Sequence, residues 1–343
     1  MSLETLNSPP VVGALTAGCY GLLPLVAKHP MLVQGSAAAL PFVAVKGMNA
    51  LSYGLGFVSV GRPGRYDGAA SVTETDGIRK DTKIADAARK GMEQMGTSRG
   101  RTLVPPAPWA FIIWAPIFLG ELIMVSVPTV TKVSPRAEAI LREAAGPFAL
   151  AQVFTALWTA SFRPRYGTKG GIYKYISALG LAGIAASLSL SHRAFATPSG
   201  SGLSMLEYVL YCLPLSLHFG WTTAAALVNL NGMFALSGNE KVTKEQEAST
   251  ARAVALLGNA SVTVATALGV SVTWTRKAPV FGGVICWALT AVASGLKKRI
   301  EASGGKKGES MVVGVYGAER QHLLSLFGAV ICASAVVATI ASK

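Results

Sequence analysis

Charged residues are scarce in this chain. Asp, Glu, Lys and Arg make up 14% of its 343 residues and hydrophobic residues 51%, whereas an ordinary soluble domain has about 25% charged residues. This scarcity excludes a typical soluble domain and indicates an integral membrane protein. The net charge of +14 would favour a nucleic-acid partner if the cations formed one surface stripe, but they lie in the gaps between apolar runs. The sequence therefore predicts membrane lipids, and no nucleic acid, as partners.

Cysteine motifs and catalytic motifs are also missing. The four cysteines lie inside apolar stretches and form no CxxC or Cys/His cluster, which excludes a disulfide framework and a zinc site. No Ser/His/Asp arrangement, nucleotide-binding P-loop, HExxH motif or paired-carboxylate spacing occurs. The sequence therefore predicts a protein that is not an enzyme, with no catalytic residue and no metal site.

The N-terminus carries no recognisable targeting signal. Residues 1–10 have neither the basic n-region of a signal peptide nor the Arg and Ser richness of a transit peptide. Either the chain has no such signal or a segment was removed before this numbering begins. The compartment therefore stays open, with a plastid or another organellar membrane among the candidates.

Long apolar runs are abundant. Eight of them approach the ~20 residues that a helix needs to cross a bilayer. They predict an all-α, polytopic integral membrane helix bundle with about eight transmembrane helices. A further run at 11–27 is short and contains Pro24, so a re-entrant or interfacial segment and a ninth helix both remain open. The eight runs cover residues 34–60, 106–130, 144–162, 172–190, 204–236, 252–274, 278–296 and 321–341.

The distribution of cations between the loops supports this count. With one span at 34–60, four loops share one side and carry about three times as many Lys and Arg residues as the opposite loops. The positive-inside rule predicts that this side is cytoplasmic or its organellar equivalent. A segment at 84–95 fits either a basic amphipathic helix on the membrane surface or a solvated helix or linker. The four cation-rich loops cover residues 62–101, 163–174, 241–252 and 297–320.

Few polar side chains lie inside the predicted spans. Glu121 and His218 are ionisable, and an ionisable group in hydrocarbon must be paired, neutralised or facing water. Both residues are therefore candidate ligand-binding residues. Asn231 and Asn259 fit the common role of amides that join membrane helices by hydrogen bonds.

All six tryptophans fall in or at the ends of apolar runs. Trp109 and Trp274 lie at run ends and fit an aromatic belt at the membrane interface. The other four lie deeper, where the wall of an intramembrane ligand pocket and ordinary helix packing remain equal alternatives. These four are Trp114, Trp158, Trp221 and Trp287.

The order of these motifs resembles the tryptophan-rich sensory protein family, also called TspO or translocator-protein-like, and especially its longer relatives with extra C-terminal helices. Residues 106–118 resemble the family's second helix, and residues 152–162, with a Leu-Trp pair, resemble its third. Residues 214–229 resemble the fifth helix, in which a Pro precedes a Trp and an Asn follows that Trp by eight residues. Residues 280–295 resemble a later span of the longer relatives.

This resemblance implies five helices around a pocket that is open to lipid and binds porphyrins or other flat, apolar, tetrapyrrole-like ligands. It assigns pocket positions to Trp114, Trp158, Trp221 and Asn229. The Tyr/Arg pair that follows the fifth helix in sterol-binding members is missing after Asn231, so sterol binding is not implied. The implied organisation is an N-terminal membrane segment at 1–60, a basic surface loop at 61–104, a TspO-like core at 105–236 and extra helices at 237–343.

Three functions fit these observations. The first is binding, with translocation or sensing, of a hydrophobic small molecule such as a tetrapyrrole or a lipid. The second is a structural or accessory subunit of a larger membrane complex, such as a photosynthetic assembly, in which His218 or Glu121 ligates a pigment metal. The third is a small-molecule transporter that uses Glu121 and His218 for proton coupling. The sequence favours the first.

Overall fold

In a computed structural model, the described residues form eight long helices and no strand. The described residues are 41–61, 102–162, 172–196, 202–234, 244–302 and 317–342, with a few positions between 14 and 21. Each long helix overlaps one predicted apolar run, which confirms the predicted all-α bundle. The helices are α1 (Phe42–Gly61), α2 (Trp114–Val130), α3 (Pro135–Ser161), α4 (Ile172–Ala196), α5 (Leu213–Phe234), α6 (Lys244–Thr275), α7 (Pro279–Ala302) and α8 (Ala318–Ala341).

Local sequence signals set the starts of α2 and α3. The 3₁₀-helix Pro108–Ile113 leads directly into α2 and begins at a proline, whose fixed φ suits the first turn of a helix. α3 begins with Pro135 after the N-cap residue Ser134. The Ser134 hydroxyl accepts a hydrogen bond from the Ala137 amide at 3.2 Å, which satisfies one of the free amides at the helix start.

A wide turn precedes α5. Tyr208–Cys212 form a π-helix, after which the Leu213 amide donates to the carbonyl five residues earlier. Pro214 has no amide hydrogen, so the regular α-helical hydrogen bonds cannot continue through this point. The wider turn changes the rotation of the helix shortly before His218.

α5 lies at the centre of the bundle. It contacts α2, α4, α6 and α7. α3 packs on α1 and α4, and α7 packs on α6 and α8. Because α5 has neighbours on several sides, it can carry polar side chains that meet other helices instead of lipid.

The chain is an integral membrane protein by the length and composition of its helices. Within the described residues, the segments containing α2, α4, α6, α7 and α8 are long and apolar enough to cross a membrane. α1, α3 and α5, with 20, 27 and 22 residues, are also long enough to span the hydrocarbon core. Polar side chains are tolerated on α3 and α5, because α3 packs against α1 and α4 and α5 packs against four helices.

The turn before α3, the turn before α5 and the turn after α6 lie at one end of the bundle. Ser134 donates to the Glu207 carboxylate, which precedes α5, at 2.5 Å. Arg276, after α6, donates to the backbone carbonyl and the hydroxyl of Ser189 in α4, both at 3.0 Å. These contacts place the cation-poor turns together, as the predicted topology requires.

Cysteine accessibility labelling tests this topology. We expect substituted cysteines in the cation-rich loops to react from one side of the membrane, and those in the cation-poor turns to react from the other. Labelling of positions 169 and 244 from opposite sides would contradict the number of spans between them. The positions to compare are Arg79, Lys169, Lys244 and Lys298 against Arg136, Arg193 and Arg276.

Glycines allow close approach between helices. A Cβ atom added to Gly183 of α4 would lie 2.5 Å from the ring of Phe154 in α3, and one added to Gly120 of α2 would lie 2.8 Å from Pro214 of α5. Both distances are too short for a real Cβ contact. Lipid is as apolar as the helix surfaces, so close packing between small residues must supply the attraction between helices.

Gly183→Leu should therefore destabilise the α3–α4 contact by roughly 1–3 kcal/mol, because Phe154 is fully buried and cannot move aside. Gly283→Leu in α7 is the matched control, since a Cβ atom there has nothing within 4 Å. Unfolding in detergent, followed by circular dichroism, measures both variants. Equal loss of stability in the two variants would show that the loss comes from helix propensity and not from the close contact.

Some predictions can be compared only in part with the structure. Asn231 joins two helices as predicted, because its side-chain amide donates to the Ser261 hydroxyl of α6 at 2.7 Å. The run at 11–27 lies mostly outside the described residues, and the segment at 84–95 lies entirely outside them. The boundaries of the four implied segments stay a prediction.

Candidate functional site

Three tryptophans from three helices meet inside the bundle. The ring centroids of Trp114 in α2 and Trp158 in α3 lie 6.4 Å apart, and the two planes are nearly parallel at 18°. Trp221 of α5 also lies 6.4 Å from Trp114, with its ring at 86° to that plane. Trp158 and Trp221 are buried and Trp114 is half-buried. These three residues form what we call the tryptophan cluster.

A row of aromatic rings connects the tryptophan cluster with the outer surface. Phe57 of α1 is 52% exposed and contacts Phe118 of α2 edge to face at 5.9 Å. Phe118 stacks on Trp114 at 5.2 Å, and Trp158 stacks on Phe162 at 5.5 Å. Ring pairs at such separations attract each other. We call these five residues the aromatic row.

A buried carboxylate and imidazole lie against the tryptophan cluster. Glu121 Oε1 in α2 lies 2.6 Å from His218 Nδ1 in α5, and the two side chains are 0% and 1% exposed. Gln152 of α3 donates from its amide to Glu121 Oε2 at 3.2 Å. The Trp114 ring meets the His218 ring edge to face, with centroids 5.6 Å apart. The polar group is therefore built from the same three helices as the tryptophan cluster.

The pairing explains how two ionisable side chains can be buried here. A single charge in hydrocarbon is costly, whereas a carboxylate with an imidazolium, or a carboxylic acid with a neutral imidazole, has no net charge. Glu121 lies seven residues after Trp114, which is about two helical turns and places both on a similar face of α2. His218 is thus the partner that a buried Glu121 requires.

The second ring nitrogen of His218 is different. Nε2 is buried and has no hydrogen-bond partner among the described residues. Most buried polar atoms in proteins have such a partner, so an exception indicates a position where another group can bind. Nε2 is therefore the atom of this site at which we expect a further contact.

Comparison with known protein families gives a match. The family model of the TSPO-like protein matches residues 84–306, which is more than half of the chain. The chain belongs to the TSPO-like protein family. No curated protein and no solved structure gives a significant match. The matched range contains α2 to α7, and with them the whole tryptophan cluster and the Glu121–His218 pair.

One position that the TSPO-like resemblance assigns to the pocket lies elsewhere. Asn229 follows Trp221 by eight residues, which is about 12 Å further along α5. Its side-chain oxygen accepts a hydrogen bond from the Ser177 hydroxyl of α4 at 3.1 Å. Asn229 therefore takes part in an α4–α5 contact. The candidate residues that the structure brings together are Trp114, Glu121, Trp158, His218 and Trp221.

Trp287 also lies apart from the tryptophan cluster. It contacts Trp109 edge to face at 4.6 Å and donates from its indole to the Ala110 carbonyl at 3.2 Å. Its ring is 37% exposed. Of the two alternatives left open for Trp287, helix packing is the one that the structure supports.

Three residues of the site, Gln152, Phe118 and Phe162, are not among those that the sequence predicts. Phe118 and Phe162 follow Trp114 and Trp158 by four residues, a spacing that places two side chains on one helix face. That spacing is a usable signal for both phenylalanines. Gln152 is visible in the sequence as a polar side chain in an apolar run, but no pattern connects it with Glu121 on another helix.

Proposed function

We propose that this TSPO-like protein binds a flat, largely apolar ligand of the tetrapyrrole kind within the bilayer. The observation that carries the proposal is the convergence of Trp114, Trp158 and Trp221 from three helices. Flat aromatic side chains attract other ring systems by stacking and by edge-to-face contact. Ligand pockets commonly combine such apolar walls with a few polar groups, and the Glu121–His218 pair supplies those groups here.

The aromatic row supports entry of such a ligand from the lipid phase. Its first ring, Phe57, is exposed on the outside of the bundle, and its later rings reach the buried Trp158. A flat ligand dissolved in the bilayer meets this row without crossing a polar surface. The row therefore provides a continuous line of apolar side chains between lipid and the tryptophan cluster.

Binding between Trp114 and Trp158 requires the two rings to move apart. Two rings that hold a flat ligand between them need about 7 Å between their planes, because each carbon contact takes about 3.5 Å. The two centroids are 6.4 Å apart. Trp114 is the half-buried partner and stands at the start of α2, directly after a 3₁₀-helix. Because Trp114 is the less buried of the two rings, we expect it to move when the ligand binds.

Titration with metal-free protoporphyrin tests the proposal. The ligand should quench tryptophan fluorescence saturably, and Trp221→Ala should weaken its affinity by about two- to tenfold. A lost buried aromatic contact costs roughly 0.5–1.5 kcal/mol beyond the lost area, which corresponds to this change in affinity. Fluorescence of the purified protein in detergent gives the dissociation constant for the unmodified protein and for the variant.

Trp274→Ala is the matched control for that titration, because Trp274 is 52% exposed and lies at the end of α6, outside the tryptophan cluster. It should leave the affinity unchanged. Quenching that never saturates, and that equals the quenching caused by ligand in empty detergent micelles, would reduce the interaction to partitioning and overturn the proposal.

The other two hypotheses have less support. Exposed apolar side chains such as Phe327 on α8, which is 65% exposed, fit lipid contact, and every spanning helix needs such contact. They therefore do not favour docking to a larger complex. Proton coupling through Glu121 and His218 needs an aqueous route to the pair, and the two side chains are 0% and 1% exposed.

A further inference from the structure

Two arginines from different parts of the chain lie close together at one end of the bundle. Arg276, in the turn after α6, donates to the backbone carbonyl and the hydroxyl of Ser189 in α4, both at 3.0 Å. Arg193 follows Ser189 by four residues, a spacing that places two side chains on one helix face, about 6 Å apart along the axis. Burial lowers the pKa of the Arg276 guanidinium, and the charge of Arg193 lowers it further. The two cations therefore act on each other.

No acidic side chain neutralises this arginine pair by direct contact. Among the residues that the structure describes, neither Arg193 nor Arg276 forms an ion pair with a carboxylate. Glu143 of α3 interacts with Arg193 only at longer range. Two like charges at a short distance repel each other, and an anion bound between them replaces the repulsion with attraction. The arginine pair therefore has the charge of an anion-binding site.

The Arg276 guanidinium is held in place while most of its donors stay available. Its central carbon lies 5.8 Å from the ring centre of Phe219 in α5, which is buried. The contacts with Ser189 use two of its five N–H donors. Arg193 is exposed and Arg276 is half-buried, so a ligand can reach both from outside the bundle. The planar set of donors in a guanidinium matches two oxygens of a phosphate group.

The position of the arginine pair favours a phosphate that belongs to a lipid. One face of α4 is exposed and mostly apolar, and it ends at Arg193. Trp274, at the end of α6 and 52% exposed, lies two residues before Arg276 and fits the headgroup level of a bilayer. A phospholipid can thus place its phosphate at the arginines and one acyl chain along the face of α4. The exposed residues of this face before Arg193 are Tyr175, Leu179, Ala182 and Ala186.

We propose that Arg193 and Arg276 bind the phosphate of an anionic phospholipid from the surrounding bilayer. The phosphate accepts hydrogen bonds from both guanidinium groups, and its charge offsets theirs. A zwitterionic lipid suits the site less well, because its ammonium group adds a third cation near the two arginines. The tryptophan cluster is built from α2, α3 and α5, whereas this site is built from α4 and the turn after α6. The inference therefore goes beyond the proposed function and does not rest on it.

Native mass spectrometry of the full-length protein in detergent tests this site. The protein is titrated with phosphatidylglycerol and with phosphatidylcholine of the same acyl chains. We expect the first phosphatidylglycerol to bind at least about tenfold more tightly than phosphatidylcholine, since a hydrogen bond to a charged group is worth about tenfold or more in affinity. Arg193→Gln and Arg276→Gln should each remove most of this preference and leave the affinity for phosphatidylcholine unchanged.

Lys277→Gln is the matched control. It removes one positive charge from the same turn, but the Lys277 ammonium lies 4.7 Å from the ring centre of Trp274 and is not part of the arginine pair. This variant should keep the preference for phosphatidylglycerol. An equal loss of preference in Lys277→Gln and in the two arginine variants would reduce the effect to general charge attraction and overturn the proposal. Displacement of phosphatidylglycerol by excess inorganic phosphate would assign the site to a free anion and would also overturn it.

The test does not depend on a single variant. Arg276→Gln removes the contacts with Ser189, and if it does not fold, Arg193→Gln decides, because Arg193 is exposed. Equal affinities of the unmodified protein for the two lipids would contradict the proposal without any variant. Titration with protoporphyrin should give the same affinity in Arg193→Gln as in the unmodified protein, so a failure of the lipid site leaves the proposed function intact.

Discussion

His218→Leu is expected to destabilise the folded bundle by roughly 3–5 kcal/mol, the largest effect that we predict for a single substitution. The variant leaves Glu121 fully buried without its partner at 2.6 Å, and removing one partner of a buried ion pair leaves an uncompensated charge. Among the residues that the structure describes, only the Gln152 amide, at 3.2 Å, would still donate to that carboxylate. The loss of stability can be measured by denaturant unfolding in detergent.

The double variant Glu121→Leu/His218→Leu is the matched control. Replacing both members of a buried pair with apolar residues of similar size is often nearly neutral. We therefore expect the double variant to recover most of the loss and to stay within about 1–2 kcal/mol of the unmodified protein, since Gln152 then lacks its acceptor. A double variant no more stable than His218→Leu would contradict the view that the two side chains compensate each other.

Trp158→Ala is expected to lower the free energy of unfolding by roughly 2–4 kcal/mol. Trp158 is 3% exposed and packs against Trp114 and Phe162. In a bilayer the transfer of apolar surface from water contributes little, but the cavity that remains still loses its packing contacts. A Cβ on Gly180 of α4 would lie 3.1 Å from the Trp158 Cβ, so the backbone of α4 is already close and cannot move much further in.

Trp274→Ala again provides the control, because that ring is 52% exposed. We expect this variant to change the free energy of unfolding by no more than about 0.5 kcal/mol, as for most surface substitutions. Thermal unfolding in the same detergent compares the two variants. A similar loss of stability in both would mean that Trp158 is not held in a packed cluster.

The positions of the helices follow from the sequence because a spanning helix needs a long apolar run, and the chain separates these runs with cations, glycines and prolines. α2 is an example, since the apolar run predicts a span at 106–130 and the helix Trp114–Val130, with its preceding 3₁₀-helix, fills that range. α3 shows the limit. Its predicted run begins at 144, but the helix begins at Pro135, because its first turns mix charged residues with Ala137, Ile140 and Leu141, which are buried in the bundle.

The site is predictable from the sequence only in part. The order of the tryptophans resembles that of a family, and this resemblance alone assigns Trp114, Trp158 and Trp221 to one pocket. Contacts between helices depend on the rotation of each helix, which hydropathy does not encode. The hydrogen bonds from Gln152 to Glu121 and from Ser177 to Asn229 both depend on such rotations. The π-helix before α5 is one cause, because it changes the rotation of that helix.

The central claim is that a flat ligand binds at the tryptophan cluster inside the bundle, and photo-cross-linking tests it most directly. A photoactivatable protoporphyrin analogue is bound to the protein in lipid vesicles and illuminated, and the modified peptides are identified by mass spectrometry. We expect adducts on the peptides that contain Trp114, Trp158 and Trp221, with competition by unlabelled protoporphyrin. Adducts spread over lipid-facing positions such as Phe327 of α8, without competition, would contradict the claim.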